Sequence, residues 1–118
     1  MERIETNWTR EELNAYIFLY CANADHVETP EETKFIETKL ASLDLEKIRA
    51  EFDKDNDAIS IEKIMNTLRK HNYSKDELNS LSEEIKELFL ADGEFGTLER
   101  YFLIGFNRII QQHWRKEI

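Results

Sequence analysis

Two short acidic stretches hold the residues best suited to chemistry. Phe89-Leu90-Ala91-Asp92-Gly93-Glu94-Phe95-Gly96-Thr97-Leu98-Glu99 closes one apolar helical pattern and opens another. An earlier echo runs Ala24-Asp25-His26-Val27-Glu28-Thr29-Pro30-Glu31-Glu32. In both, a Glu stands seven positions after the Asp (Asp25 to Glu32, Asp92 to Glu99), and an apolar pair follows, Phe35-Ile36 and Phe102-Leu103. Asp25 and Asp92 fall where helices must end, the end at which the macrodipole disfavours a carboxylate. Such groups ask for compensation by solvent or by a cation. If the two turns meet in space, several carboxylate oxygens converge, which is what Ca²⁺ or Mg²⁺ requires. The competing reading is structural. Glu32 and Glu99 suit helix capping, and Gly93 supplies a left-handed backbone after a helix. His26 takes the corresponding place in the first stretch, and His is enriched among non-glycine residues with that backbone.

A third acidic stretch, Asp53-Lys54-Asp55-Asn56-Asp57-Ala58-Ile59-Ser60-Ile61-Glu62, begins like an EF-hand loop and then departs from it. Ala58 stands where the sharp turn needs Gly, and position twelve is Ile64 rather than the bidentate Glu, with Glu62 two residues early. The sequence therefore predicts a solvated loop, with Asp57 capping the next helix. Catalytic constellations are missing from the pattern. Cys21 lies among Ile17, Phe18 and Tyr20 and reads as a small core residue, no Gly-rich phosphate loop is present, and His71 and His113 sit near helix ends beside Lys, Arg and Trp with no sequence sign of a carboxylate orienter. The expectation is a protein that is not an enzyme.

The elements that must position these groups follow from apolar spacing. Thr9-Arg10-Glu11-Glu12, Thr29-Pro30-Glu31-Glu32 and Ser74-Lys75-Asp76-Glu77 are capping boxes, in which the hydroxyl accepts a free helix N–H and the Glu accepts one in return. The first opens a helix whose Leu13, Tyr16, Ile17, Tyr20, Cys21 and Ala24 recur at three- and four-residue steps, widened by Ala15, Phe18, Leu19 and Ala22, so that it is buried on most sides. A second helix follows Thr29 with Phe35, Ile36 and Leu40. After a break at Ser42-Leu43-Asp44, with Asp44 as N-cap, a short third carries Leu45, Ile48 and Phe52. A fourth carries Ile61, Ile64, Met65 and Leu68 and ends at Arg69-Lys70-His71-Asn72. The fifth runs from Ser74 to Ala91, and the sixth from about Thr97 through Phe102 and Phe106 towards Trp114.

The 118 residues, with one Pro, three Gly and 35% charged residues, predict one all-α domain, a compact bundle of about six helices built as a pseudo-repeat of two helix–acidic turn–helix units. Side-by-side packing of the first and fifth helices would put both Ala-Asp turns on one face. A net charge of −9 argues against a nucleic-acid partner and favours cations, basic partner surfaces or solubility. The single Cys excludes an internal disulfide. No apolar run approaches the roughly 20 residues of a membrane span, and the N-terminus has no signal-peptide pattern, so the expected compartment is the cytoplasm, without direct membrane insertion.

The segment Ile85 to Glu99, with its Ala91-Asp92-Gly93 turn and following Glu, resembles the TerB family of tellurite-resistance proteins and the TerB-like domain of membrane-anchored DnaJ-type co-chaperones. The resemblance spans about Glu11 to Arg108, with His26 departing from the pattern in the first copy. It implies a compact all-helical fold in which Asp25, Glu32, Asp92 and Glu99 occupy the acidic metal-binding cluster. It also implies a cytoplasmic role in stress response or metal handling, with protein or membrane-complex partners. Two functions stand open: a divalent-cation-binding module using the paired turns, or an interaction domain whose acidic surface docks a basic partner without metal.

Overall fold

A computed structural model describes residues 6–23, 28–92 and 97–116, without the side chains of residues 92, 97, 98, 110 and 112–116. Among the described residues the chain forms six α-helices and one short 3₁₀ turn, with no strand: α1 (Arg10–Asn23), α2 (Pro30–Lys39), α3 (Leu45–Lys54), α4 (Asp57–Lys70), α5 (Lys75–Phe89), the 3₁₀ turn Leu90–Asp92, and α6 (Thr97–Lys116).

All three capping boxes form. Thr9 and Glu12 exchange bonds of 2.9 and 3.1 Å, and Thr29–Glu32 and Ser74–Glu77 do the same at the starts of α2 and α5. Asp44 caps α3 as expected. Two local expectations change. Asp53 and Lys54 continue α3 and Asp57 already belongs to α4, which leaves only Asp55 and Asn56 as the connection. The N-cap of α4 is Asn56, whose side chain accepts from the Ile59 N–H at 2.9 Å, not Asp57. At the other end of α4, Asn72 takes a positive φ of 52°, and the Tyr73 N–H reaches back to the Leu68 carbonyl at 3.3 Å. This is the left-handed helix stop that Asn tolerates better than most residues.

The hub is α1. From Leu13 to Ala22 only Asn14 is not buried, because α2, α3, α4 and α5 all pack around this one helix. Its aromatic rings point outward like spokes, each to a different neighbour. Tyr16 meets Phe52 of α3 edge-on at 5.6 Å, Phe18 meets Phe35 of α2 at 5.9 Å, and Tyr20 meets Phe102 of α6 at 6.0 Å. Trp8, just before the helix, lies 4.5 Å from Tyr16 and covers its N-terminal end. Ile64 and Leu68 of α4 and Leu78, Leu81, Ile85 and Leu88 of α5 complete a single core cluster. Among the described residues, no helix is long and apolar enough to cross a membrane.

The segment before α1 is held by polar bonds. The Thr67 hydroxyl donates to the Lys63 carbonyl at 2.7 Å, so its 2.6 Å contact with the Thr6 hydroxyl has Thr6 as donor. The His71 Nε2–H donates to the Trp8 carbonyl at 2.7 Å, and Arg10 pairs with Glu77 while its guanidinium lies 4.6 Å from the Tyr73 ring. These bonds tie the segment from Thr6 to Arg10 to the α4–α5 corner, on residues that carry no role in the acidic turns.

Candidate functional site

The first acidic turn leaves α1 at Asn23 and enters α2 at Pro30. Asn23 bridges the gap. Its Nδ2 donates to the Leu19 carbonyl at 2.9 Å and to Glu28 at 3.1 Å, while its Oδ1 accepts from the Glu28 N–H at 3.3 Å. Glu28 is itself clamped. Arg49 of α3 donates to both carboxylate oxygens, at 2.9 and 3.0 Å, and the Thr33 hydroxyl donates as well. Only 7% of the Glu28 side chain is exposed. Burial would raise its carboxyl, but the bonds from Arg49, Thr33 and Asn23 and the Arg49 charge outweigh it and hold the group below its ordinary range. Glu28 is therefore a strut between the turn and α3, and its oxygens are already committed.

Glu32 sits four positions further on, in the first turn of α2, and is wholly buried. Its Oε1 accepts from both the N–H and the hydroxyl of Thr29, at 2.9 and 3.2 Å. The carboxylate lies against α1. The Cys21 thiol is pushed well up, first by burial and then by the charge of Glu32. That combination keeps Cys21 a protonated core residue, as its place in the apolar stripe suggests.

The second turn approaches the same helix. The 3₁₀ turn Leu90–Asp92 packs against α2. Lys39, at the end of α2, pairs with Glu87 at 3.5 Å, whereas Ala91, one turn beyond Glu87, lines a groove of about 520 Å³ with Glu31, Lys34, Phe35, Thr38 and Lys39. The chain leaving α5 thus runs back along α2 towards the turn that carries Glu32. Glu99 lies half-buried in the first turn of α6. Of the four residues singled out from sequence, Glu32 and Glu99 are described in full. Asp92 is described in its backbone only, and Asp25 lies outside the described residues, as do His26 and Glu94. Among the described residues, no group of three or more His, Cys, Asp or Glu side chains is arranged to hold a metal ion.

The EF-hand-like stretch resolves differently. Tyr16 and Tyr20 stand one turn apart on α1 and reach over to the α3–α4 junction. The Tyr16 hydroxyl donates to Asp55 at 2.6 Å and contacts the Ser60 hydroxyl at 2.9 Å, and the Tyr20 hydroxyl donates to Asp57 at 2.7 Å. Lys63 adds its ammonium to Asp55 at 2.8 Å and to Glu51 at 2.9 Å. Burial, then the bond to Asp55, push the Tyr16 hydroxyl far up; burial would lower the Lys63 ammonium, but its bonds to Asp55 and Glu51 win and raise it. The junction is a closed polar knot built from α1 and α4. Sequence reasoning missed it because its partners are distant in the chain. The one available hint was that Tyr16 and Tyr20, four apart on a buried helix, each bring a hydroxyl that needs a partner.

Comparison with known proteins adds nothing to this geometry: no family model, no curated protein and no solved structure matches the chain.

Proposed function

We propose that the chain is a TerB-like, non-enzymatic cytoplasmic domain that binds a divalent cation, Ca²⁺ or Mg²⁺, through its paired acidic turns, in a stress-response or metal-handling setting. The four ligating residues in this reading are Asp25, Glu32, Asp92 and Glu99. One observation carries it: Glu32 is a wholly buried carboxylate on the helix against which the second Ala-Asp turn packs. Carboxylate oxygens brought together are what Ca²⁺ and Mg²⁺ coordinate, and packing the second turn on the helix of Glu32 is what such a cluster needs. Further support comes from the all-helical architecture and from α1, which packs on both α2 and α5, as the expected pairing of two helix–turn–helix units requires. The second reading, a metal-free docking module, is favoured by the exposure of Tyr101 and Ile104 on α6.

Thermal melting in EDTA against millimolar Ca²⁺ or Mg²⁺ separates the two. A cation at 100 times its dissociation constant adds about 2.7 kcal/mol, a shift of several degrees for a domain of this size. Asp92→Asn is expected to raise stability in EDTA, by relieving repulsion between carboxylates, and to abolish the response to cation. A wild-type melting temperature indifferent to every divalent ion would overturn the cation reading and leave the docking module.

A further inference from the structure

Within α3, Glu46, Lys47, Ala50, Asp53 and Lys54 are exposed, and Ile48 alone is fully buried. Leu45 and Phe52, half-buried, complete a short apolar seam, with Phe52 edge-on to Tyr16 at 5.6 Å. That seam rests mainly on α1, whereas α2 packs also on α5 and the 3₁₀ turn, and α4 also on α6. Charge supplies what the seam lacks. At about 100° per residue, Arg49 falls on one flank of the seam, and Glu51 and Asp55 fall on the other. On the first flank Arg49 donates to both oxygens of Glu28, at 2.9 and 3.0 Å. On the second, Lys63 of α4 donates to Glu51 at 2.9 Å and to Asp55, the C-cap of α3, at 2.8 Å. The Tyr16 hydroxyl adds its own bond to Asp55 at 2.6 Å.

We propose that α3 is a charge-locked lid: it opens as one unit while the other helices stay folded, and the Arg49–Glu28 and Lys63–Glu51–Asp55 ion pairs are the two bolts that keep it shut. A helix shorter than roughly 12–15 residues is marginal in water, so the ten residues of α3 unwind once lifted from α1. Opening bares the seam formed by Ile48, Phe52 and Tyr16. It also withdraws Arg49 from Glu28, and with it the strut that ties the first acidic turn to α3. One motion therefore changes both the junction and the turn, which are far apart in the chain. Because each bolt is an ion pair, removing charge from either one weakens the lock without touching the apolar core.

Hydrogen exchange of the full chain under native conditions reads this opening residue by residue. The amides of Arg49, Glu51 and Phe52 are expected to exchange at least tenfold faster than those of Ile17 and Leu19 in α1. Three variants decide what the faster exchange means. Glu28→Gln and Lys63→Met each cut one bolt, and each should speed the α3 amides at least a further tenfold. Ile85→Val takes one buried carbon from α5, whose main packing partners are α1, α2, α6 and the 3₁₀ turn. It weakens the core that stays folded when the lid opens, so it should speed the α1 amides a few-fold and leave those of α3 unchanged. Equal exchange in α3 and α1, accelerated alike by Ile85→Val, overturns the proposal, since α3 would then open only when the whole chain unfolds. Fast exchange in α3 that ignores both Glu28→Gln and Lys63→Met overturns it too, because the helix would then be fraying rather than held by its bolts.

Discussion

The α1–α2 turn and the α3–α4 junction are both rich in acids, and from composition alone the junction looks the better metal site. It has three aspartates in alternation, whereas the turn has a lone Asp25 followed by scattered glutamates. The fold closes the junction. At the junction, Tyr16, Tyr20 and Lys63 arrive from α1 and α4 and occupy Asp55 and Asp57. At the turn, Glu28 is clamped by Arg49, and Glu32 accepts from Thr29 while lying buried on the helix that the second turn approaches. Whether carboxylates in a row form a cation site depends on what the rest of the chain places opposite them. Donors already present make a structural knot.

The largest test of that contrast is to remove the internal cation of the knot. Lys63→Met takes the ammonium from two carboxylates while keeping the apolar stem. Taking one partner from a buried pair costs about 3–5 kcal/mol, and with the Lys63 side chain 14% exposed and that of Asp55 11%, the expected loss is near the low end, about 3 kcal/mol. The denaturant midpoint measures it. A loss below about 0.5 kcal/mol would mean that the knot is solvated and that the junction differs little from an open acidic loop.

A smaller effect is expected at Glu28. Glu28→Gln keeps the shape of the strut but removes its charge, for about 1.5–3 kcal/mol, the usual worth of hydrogen bonds to a charged group. Its pH dependence identifies the cause. Because the folded carboxyl titrates below its ordinary value of 4.5, the stabilisation is present in full above that value and is lost as pH falls through the folded value. The gap between wild type and Glu28→Gln is therefore widest at neutral pH, narrows as pH falls below 4.5 and closes as pH passes the folded value. A gap that stayed constant down to pH 3 would show that shape, not charge, holds the turn.

What could be read in advance divides along the same line. Thr9, Thr29, Ser74 and Asp44 were legible as helix starts because a cap bonds to residues three positions away, within the stretch being read. The stripe of α1 was legible because periodicity is local, and its burial on nearly all sides followed from Ala15, Phe18, Leu19 and Ala22 filling the other faces. The junction was misread as a loop for a physical reason. Adjacent aspartates repel when nothing opposes them, but Arg49 and Lys63 face them from α3 and α4 and let the helices run to within two residues of each other. Asn56 then takes the cap because Asp57 is drawn to Tyr20. The Glu28–Arg49 clamp lies between residues 21 apart, and the Tyr16–Asp55 bond between residues 39 apart. No spacing rule reaches that far. The candidate site was legible only as a repeated motif, and the packing of the 3₁₀ turn on α2 is a long-range contact that no spacing announces.

The smallest expected effect sharpens the comparison most. Asp53 is exposed in the last turn of α3 and is the one junction aspartate engaged by neither tyrosine nor lysine in this structure, although it lies close enough to Arg49 to raise that guanidinium. At a helix C-terminus its charge is slightly unfavourable, and Arg49 on the preceding turn offsets this. Asp53→Asn is therefore expected to change stability by no more than about 0.5 kcal/mol. Its value lies in the cation experiment. An EF-hand loop needs its first aspartate free to wrap round the ion, but Asp53 is locked in helical backbone, and the oxygens of Asp55 and Asp57 face Tyr16 and Tyr20 on α1. Any stabilisation by Ca²⁺ or Mg²⁺ should then persist undiminished in Asp53→Asn while disappearing in Asp92→Asn. Calorimetric titration of Ca²⁺ into both variants gives the answer directly. If the response vanished in Asp53→Asn and survived in Asp92→Asn, the cation would belong to the α3–α4 junction, and the tyrosine and lysine contacts there would have to open to admit it.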